Sequence, residues 1–163
     1  MLGRLYSGQA CSVARTLEIV GERWSLLIIR NSMFSGMTRF MDFQRNLGIA
    51  SNILAKRLGE FVEAGIFELR PDADGGRAEY VLTRKGRDLQ PVIVALTEWG
   101  DSWAPPEDRS VFYEHVGCGG RVMLKMECER CGETRPAADA EVRRGRRLPD
   151  PRRTRAGTED RPA

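Results

Sequence analysis

The sequence is short of the residues that chemistry most often needs. It has one histidine, His115, and four cysteines in 163 residues. No Ser/His/Asp set, phosphate-cradling loop or paired-carboxylate site stands out, so a non-enzyme is expected. No apolar run approaches the ~18 residues that a membrane span needs. The opening MLGRLYSGQAC lacks the apolar core of a signal peptide, so the expected location is cytoplasmic. In that compartment four cysteines argue against a disulfide framework. A strong charge imbalance is also missing: the net charge is +3. Residues 1–104 carry 13 basic and 12 acidic side chains, residues 105–142 carry 5 and 8, and residues 143–163 carry 8 and 3. Any nucleic-acid face on the body must therefore be a local patch.

What is present is helical periodicity followed by a change of period. Val13, Leu17, Val20, Trp24, Leu27 and Ile28 recur at helical spacing, and Gly21 interrupts them. Two helices are expected, over Ser12–Val20 and 24–33. Thr38 is placed to cap a third, with Phe40, Phe43 and Leu47 on its apolar face and Gly48 at its end. Ser51 is the next capping candidate. Leu54, Leu58, Phe61 and Val62 then form one apolar stripe of a helix ending at Gly65. Segments 66–70 and 78–82 read as strands joined by the turn 71–76, with its Asp-Gly-Gly. Thr83 reads as the cap of a long helix bearing Leu89, Val92, Ile93, Leu96, Trp99 and Trp103, kinked by Pro91. Pro105-Pro106 marks a boundary. The expected organisation is a domain over 1–104, a small β unit over 105–142 and a disordered basic tail over 143–163.

The fold class that follows is mainly α with a small β wing. A short helix, a tight turn, a second amphipathic helix and a basic hairpin are the parts of a winged helix-turn-helix. The second helix of such a motif presents its N-terminal residues to base edges in the major groove. Here those are Ser51, Asn52 and Lys56, with Ala55 near enough for apolar contact. Asn bonds an adenine edge at two points, and Lys reaches guanine or phosphate. Arg39, Arg57, Arg70 and Arg77 are the candidate phosphate contacts. Taken alone, the same residues describe the solvated face of a surface helix.

Residues 11–103 resemble the HxlR-type family of bacterial winged-helix transcriptional regulators. The segments that carry the likeness are CSVARTLEIVGERWSLLIIR, GMTRFMDFQRNLGIASNILAKRLGEFVEAGIFELR and YVLTRKGRDLQPVIVALTEWG. The resemblance implies a three-helix core with its wing, and N- and C-terminal helices that form a homodimer. It also implies two readers on a pseudo-palindromic operator, with half-sites about 34–36 Å apart or a multiple of one turn. Trp24, Trp99 and Trp103 agree with a dimer, because they give more apolar helix surface than a small core needs. The wing turn DADGGRAEY departs from the proline-containing wing of the family. Some members sense oxidants, quinones or aldehydes through a cysteine at the start of the first helix. Cys11 stands there, where a helix N-terminus and the nearby Arg15 would favour a thiolate; the alternative is a small unreactive side chain.

Beyond residue 105, His115-Val116-Gly117-Cys118-Gly119 and Cys128-Glu129-Arg130-Cys131-Gly132 are two similar knuckles. Together His115, Cys118, Cys128 and Cys131 make a Cys3His donor set for one structural Zn2+. The segment has few apolar residues, so metal would supply its stability. The reading is of a zinc-ribbon-like extension; a metal-free extension or a Cys128–Cys131 redox pair stays open. The tail RRGRRLPDPRRTR would attract phosphate without sequence preference, or is simply solvated. The leading function is a homodimeric, sequence-specific DNA-binding regulator, with repression favoured over activation because occupancy alone blocks a promoter. The alternatives are a zinc-ribbon interaction module whose winged helix binds protein, and a thiol oxidoreductase.

Overall fold

The computed structural model describes residue 6 and residues 11–71, 78–104, 107 and 111–134. Its contacts divide the chain into two compact units, Met1–Leu124 and Lys125–Ala163. Arg77, most of the wing turn, the Pro105-Pro106 pair and the basic tail lie outside the described residues.

The first unit is built from α1 (Ser12–Val20), α2 (Ser25–Ser35), α3 (Phe40–Leu47), α4 (Ser51–Glu63), β1 (Phe67–Arg70), β2 (Glu79–Leu82), α5 (Arg84–Arg87) and α6 (Gln90–Trp103). Gly36 and Gly48 close α2 and α3 in the left-handed region, at φ 63° and 61°. A residue without Cβ adopts that conformation at little cost. The strands pair antiparallel, with Phe67 opposite Leu82 and Arg70 opposite Glu79. The core gathers where α2, α3, α4 and β1 meet. Ile28, Ile29, Phe43, Leu54 and Leu58 are fully buried there, with Phe61 and Phe67 beside them. Phe67 meets Phe43 edge-on at 6.3 Å between ring centroids and lies 5.9 Å from Phe61.

Two of the three expected caps are placed differently. Thr38 does not cap α3; Arg39 occupies that position without a side-chain bond. Thr38 instead ties the helices to the wing. Its carbonyl accepts from the Tyr80 N–H at 2.8 Å, and its hydroxyl donates to Glu79 Oε1 at 3.1 Å. Donation to a carboxylate makes a charge-assisted hydrogen bond, whereas as a helix cap the same hydroxyl would accept from a neutral backbone N–H. Ser51 is the first helical residue of α4, preceded by Ala50 in extended backbone. Thr83 does cap, accepting from the Gly86 N–H at 3.2 Å. The helix it starts, however, ends after four residues. The single kinked helix is thus two helices, and Pro91 stands in the first turn of the second. A first-turn N–H has no partner within its helix, so proline costs nothing there.

The boundary expected near residue 105 is crossed. The Tyr113 ring stacks on Phe34 with centroids 4.0 Å apart, and its hydroxyl lies 3.2 Å from Thr97 Oγ1. The Leu124 N–H donates to Glu98 Oε1 at 2.9 Å, and Arg121 pairs with Asp101 at 3.5 Å. Residues 111–124 therefore pack on α2 and α6 as part of the first unit. In the second unit, the described residues form a turn closed by a bridge between Glu127 and Thr134.

Gly86 brings α5 close against the backbone before β1 and the end of β2. A Cβ there would lie 2.5 Å from the Ile66 carbonyl oxygen and 2.6 Å from Leu82 Cδ2. Gly86→Ala should therefore destabilise the fold by roughly 1–3 kcal/mol. Urea unfolding followed by circular dichroism checks this; an unchanged midpoint would show that α5 is free to lift off the sheet.

Candidate nucleic-acid interface

Helix α4 has two unlike sides. Leu54, Leu58 and Phe61 are buried against α2, α3 and β1, and this fixes the rotation of the helix about its axis. Ser51, Asn52, Ala55 and Lys56 are then all exposed on the side away from the core. They lie in the first two turns of α4, as base contact in the major groove requires. No side-chain capping bond holds the start of α4, and the Ile53 N–H bonds the Ala50 carbonyl at 3.0 Å; a helix start of this kind can accept an anion such as a backbone phosphate.

The cations expected at phosphates differ in their placement. Arg39 is exposed, and its Nε lies 3.4 Å from Glu79 Oε1. Arg70 is exposed beside Glu68 on the same strand, with Nε 2.7 Å from Oε1. Arg57 is not a surface cation. Its side chain is 8% exposed, with Nη1 2.6 Å from Glu60 Oε2 and Nη2 3.4 Å from Glu22 Oε2. Its partners take it out of the phosphate set and make it a clamp between α4 and the turn after α1. Glu60, three residues on in the same helix, was visible as a partner in the sequence; Glu22 was not.

At the start of α1, Cys11 is exposed and its Sγ accepts from the Ala14 N–H at 3.4 Å. Arg15 does not serve the thiol, because Nη1 bonds both oxygens of Glu18 at 3.0 Å. The apolar surface of the outer helices is exposed in one copy of the chain. Val13 and Leu17 on α1, and Val92, Leu96, Trp99 and Trp103 on α6, are all open to solvent. Trp24 differs: it is half-buried on the core, with the Arg23 guanidinium 5.0 Å from its ring centroid.

The two knuckles are built alike, each within its own unit. In the first, a Glu114–Arg121 bridge precedes His115, whose N–H donates to the Gly120 carbonyl at 2.8 Å. The Gly119 N–H returns to the His115 carbonyl at 3.0 Å. In the second, the Cys128 N–H donates to Glu133 at 3.0 Å, and the Gly132 N–H returns to Cys128 at 2.8 Å. Gly119 and Gly132 are both left-handed, at φ 67° and 69°. His115 Nδ1 lies 3.3 Å from Cys118 Sγ. The Cys128 thiol is held below its usual range by the backbone N–H of Cys131, then that of Arg130 and the Cys131 thiol. Among the described residues, neither unit by itself gathers three metal-ligating side chains; each offers a pair.

A helical core, a hairpin wing and an exposed second helix of the motif define a winged helix-turn-helix DNA-binding protein. The family model described as HxlR-like helix-turn-helix matches residues 19–108, and the chain belongs to that family of DNA-binding transcriptional regulators. The uncharacterized HTH-type transcriptional regulator Rv3095 of Mycobacterium tuberculosis is 46% identical over 124 residues, covering 75% of this chain and 78% of its own. The crystal structure of PA1607, a candidate transcription factor, is 40% identical and superposes with a TM-score of 0.76 over 83% of this chain and 96% of its own. The reduced form of the transcriptional regulator YodB from Bacillus subtilis is 29% identical, with a TM-score of 0.51 over 61% of this chain and all (100%) of its own. Among the described residues no helix is long and apolar enough to cross a membrane.

Lys56 and Arg57 are adjacent, and substitution should separate their roles. Arg57→Ala should cost about 1–3 kcal/mol of stability, because it leaves two carboxylates without their shared cation. Lys56→Ala should leave stability within about 0.5 kcal/mol and weaken duplex binding. Paired thermal melts and DNA titrations check both. Equal destabilisation by the two would contradict the burial difference.

Proposed function

We propose that the chain acts as a homodimeric repressor that reads a pseudo-palindromic operator through Ser51, Asn52, Ala55 and Lys56 of α4. The observation that carries this reading is the orientation of α4, whose apolar side is buried while those four side chains are exposed. Arg39 and Arg70 set position on phosphates, and Arg77 does so from the wing. The exposed apolar stripes of α1 and α6 are the dimer surface, with Trp99 and Trp103 as its aromatic anchors. The reading assigns the chain no catalytic role. Cys11 is the proposed point at which a thiol-reactive signal acts, because it is exposed and sits where α1 begins. Oxidation there would alter the helix that packs between subunits.

Fluorescence-anisotropy titration on duplexes tiled across the protein's own upstream region tests this. Saturable binding to one palindromic tile is expected, at least about a thousandfold tighter than to a random duplex. Asn52→Ala should lose roughly 1–3 kcal/mol on that tile and relax specificity at one base pair. Trp99→Asp should yield monomers by sedimentation and lose the tile. A thiol oxidant should release the wild type and spare Cys11→Ser; equal release of both removes the sensor. Weak binding that is equal on every duplex and vanishes with salt would replace the regulator reading with protein interaction.

We also propose that His115, Cys118, Cys128 and Cys131 ligate a structural Zn2+. The donor chemistry supports it, as does the matching construction of the two turns, each with a left-handed glycine directly after its second donor. A lowered thiol at Cys128 suits a thiolate ligand. Purified full-length protein should carry about one zinc per chain. Cys118→Ser and Cys128→Ser should each lose it, and a chelator should destabilise the wild type only. Protein that is metal-free after purification in zinc-containing buffer would overturn the proposal.

A further inference from the structure

The first unit contains a cavity of 520 Å3 bounded by α2, α3, α6 and residues 111–113. Neither the reading face of α4 nor the exposed stripes of α1 and α6 use it. Its volume falls in the range of small-molecule sites, about 300–1,000 Å3. Phe34 and Tyr113, stacked on each other, give it an aromatic wall. Thr97 and Tyr113 add two hydroxyls.

The charge in the cavity is unbalanced. Arg30 lines it and is half-buried. Its Nε and Nη2 donate to Asn31 Oδ1 at 3.1 and 2.9 Å, and Asn31 Nδ2 donates onward to Asn46 Oδ1 at 2.7 Å. Those acceptors are neutral amides. Among the described residues no carboxylate pairs with Arg30. Asp101, which also lines the cavity, faces Arg121 at 3.5 Å. A guanidinium that is partly desolvated and meets no carboxylate among the described residues favours an anionic oxygen, and its planar fork fits a carboxylate. The aromatic wall favours a planar ring beside that carboxylate.

We propose that this cavity binds a small planar aromatic acid, with its carboxylate on Arg30 and its ring against the Phe34–Tyr113 pair. The Arg30–Asn31–Asn46 chain links that carboxylate position to α3, while Thr97 and Asp101 belong to α6. The site therefore touches both the helix-turn-helix and the last helix of the fold. Its occupancy is measurable without DNA, so its failure and that of the DNA-binding reading are separate results.

Calorimetric titration of the full chain with 2-naphthoate, and with neutral 2-naphthamide, tests the site. Saturable binding of the acid is expected, with the amide at least about tenfold weaker. Arg30→Gln should weaken the acid by a similar factor and leave the amide unchanged. Gly100 also lines the cavity, and a Cβ there meets nothing within 4 Å. Gly100→Leu should thus occupy the ligand's space, keep the fold by circular dichroism and abolish binding. No saturable heat up to about 10 mM acid, equal affinity for acid and amide, or full binding by Gly100→Leu would each overturn the proposal.

Discussion

The aromatic joint of Phe43, Phe61 and Phe67 is what the rest of the winged helix depends on. One ring comes from α3, one from α4 and one from β1. Burying all three together fixes three elements at once, with two of the contacts at 6.3 and 5.9 Å between centroids. Each such ring contributes roughly 2–3 kcal/mol through burial, which is large against a total stability of about 5–15 kcal/mol. The consequence for function is rotational. With Leu54, Leu58 and Phe61 turned to the core, α4 has no freedom to turn Asn52 and Lys56 inward. The outward presentation of the proposed reading face is thus a by-product of hydrophobic packing on the other side of the same helix.

Much of this was legible because periodicity is a local signal. Ser12–Val20 reads directly from its apolar spacing, and both strands read from the change of period after Gly65. The exposed quartet on α4 also follows from spacing alone. What did not follow were partnerships between distant residues. Thr38 has the look of a cap, but its partner Glu79 is 41 positions away. Arg57 has the look of a surface cation, but Glu22 reaches it from before α2. Pro91 signalled a break without saying whether a helix bends or restarts, and the short α5, with Gly86 close against Ile66 and Leu82, decides that. Tyr113 gave no sequence signal that it belongs with Phe34 and Thr97, because the short run Val111-Phe112-Tyr113 after a proline pair has no helical period. Such misses are misses of tertiary context rather than of propensity.

Arg57 shows how a corrected residue gains a different role. A solvated arginine at a phosphate contributes to affinity through counterion release. A buried one bridging Glu60 and Glu22 contributes to where α4 sits relative to the segment that follows α1. The Cys11 end of α1 and the reading helix are therefore connected through nine helical residues, a turn and one ion pair. A shift of α1 by the diameter of an oxidised sulfur substituent is small. Packed cores respond to small shifts in discrete steps, since they do not deform continuously.

Helix α6 carries two faces that do different things. Val92, Leu96, Trp99 and Trp103 form the exposed apolar stripe, while Thr97, Gly100, Asp101 and Ala104 line the cavity. The second set is the first advanced by about one residue, or about 100° around the axis. One rigid helix therefore joins the proposed subunit contact to the proposed ligand site. A ligand shifts a conformational equilibrium only by its difference in affinity for the two states. The cavity supplies the means for such a difference, because its walls come from both α3 and α6. Moving α6 against α2 changes the distance between Arg30 and Thr97, and it moves the tryptophan stripe by the same amount. In a dimer joined by that stripe, the separation of the two α4 helices is set by the tilt of α6. DNA half-sites tolerate little error in that separation, since one base pair is about 3.4 Å of axis. In that proposed dimer, the helix that joins the subunits would thus be the element through which occupancy of the cavity reaches the operator.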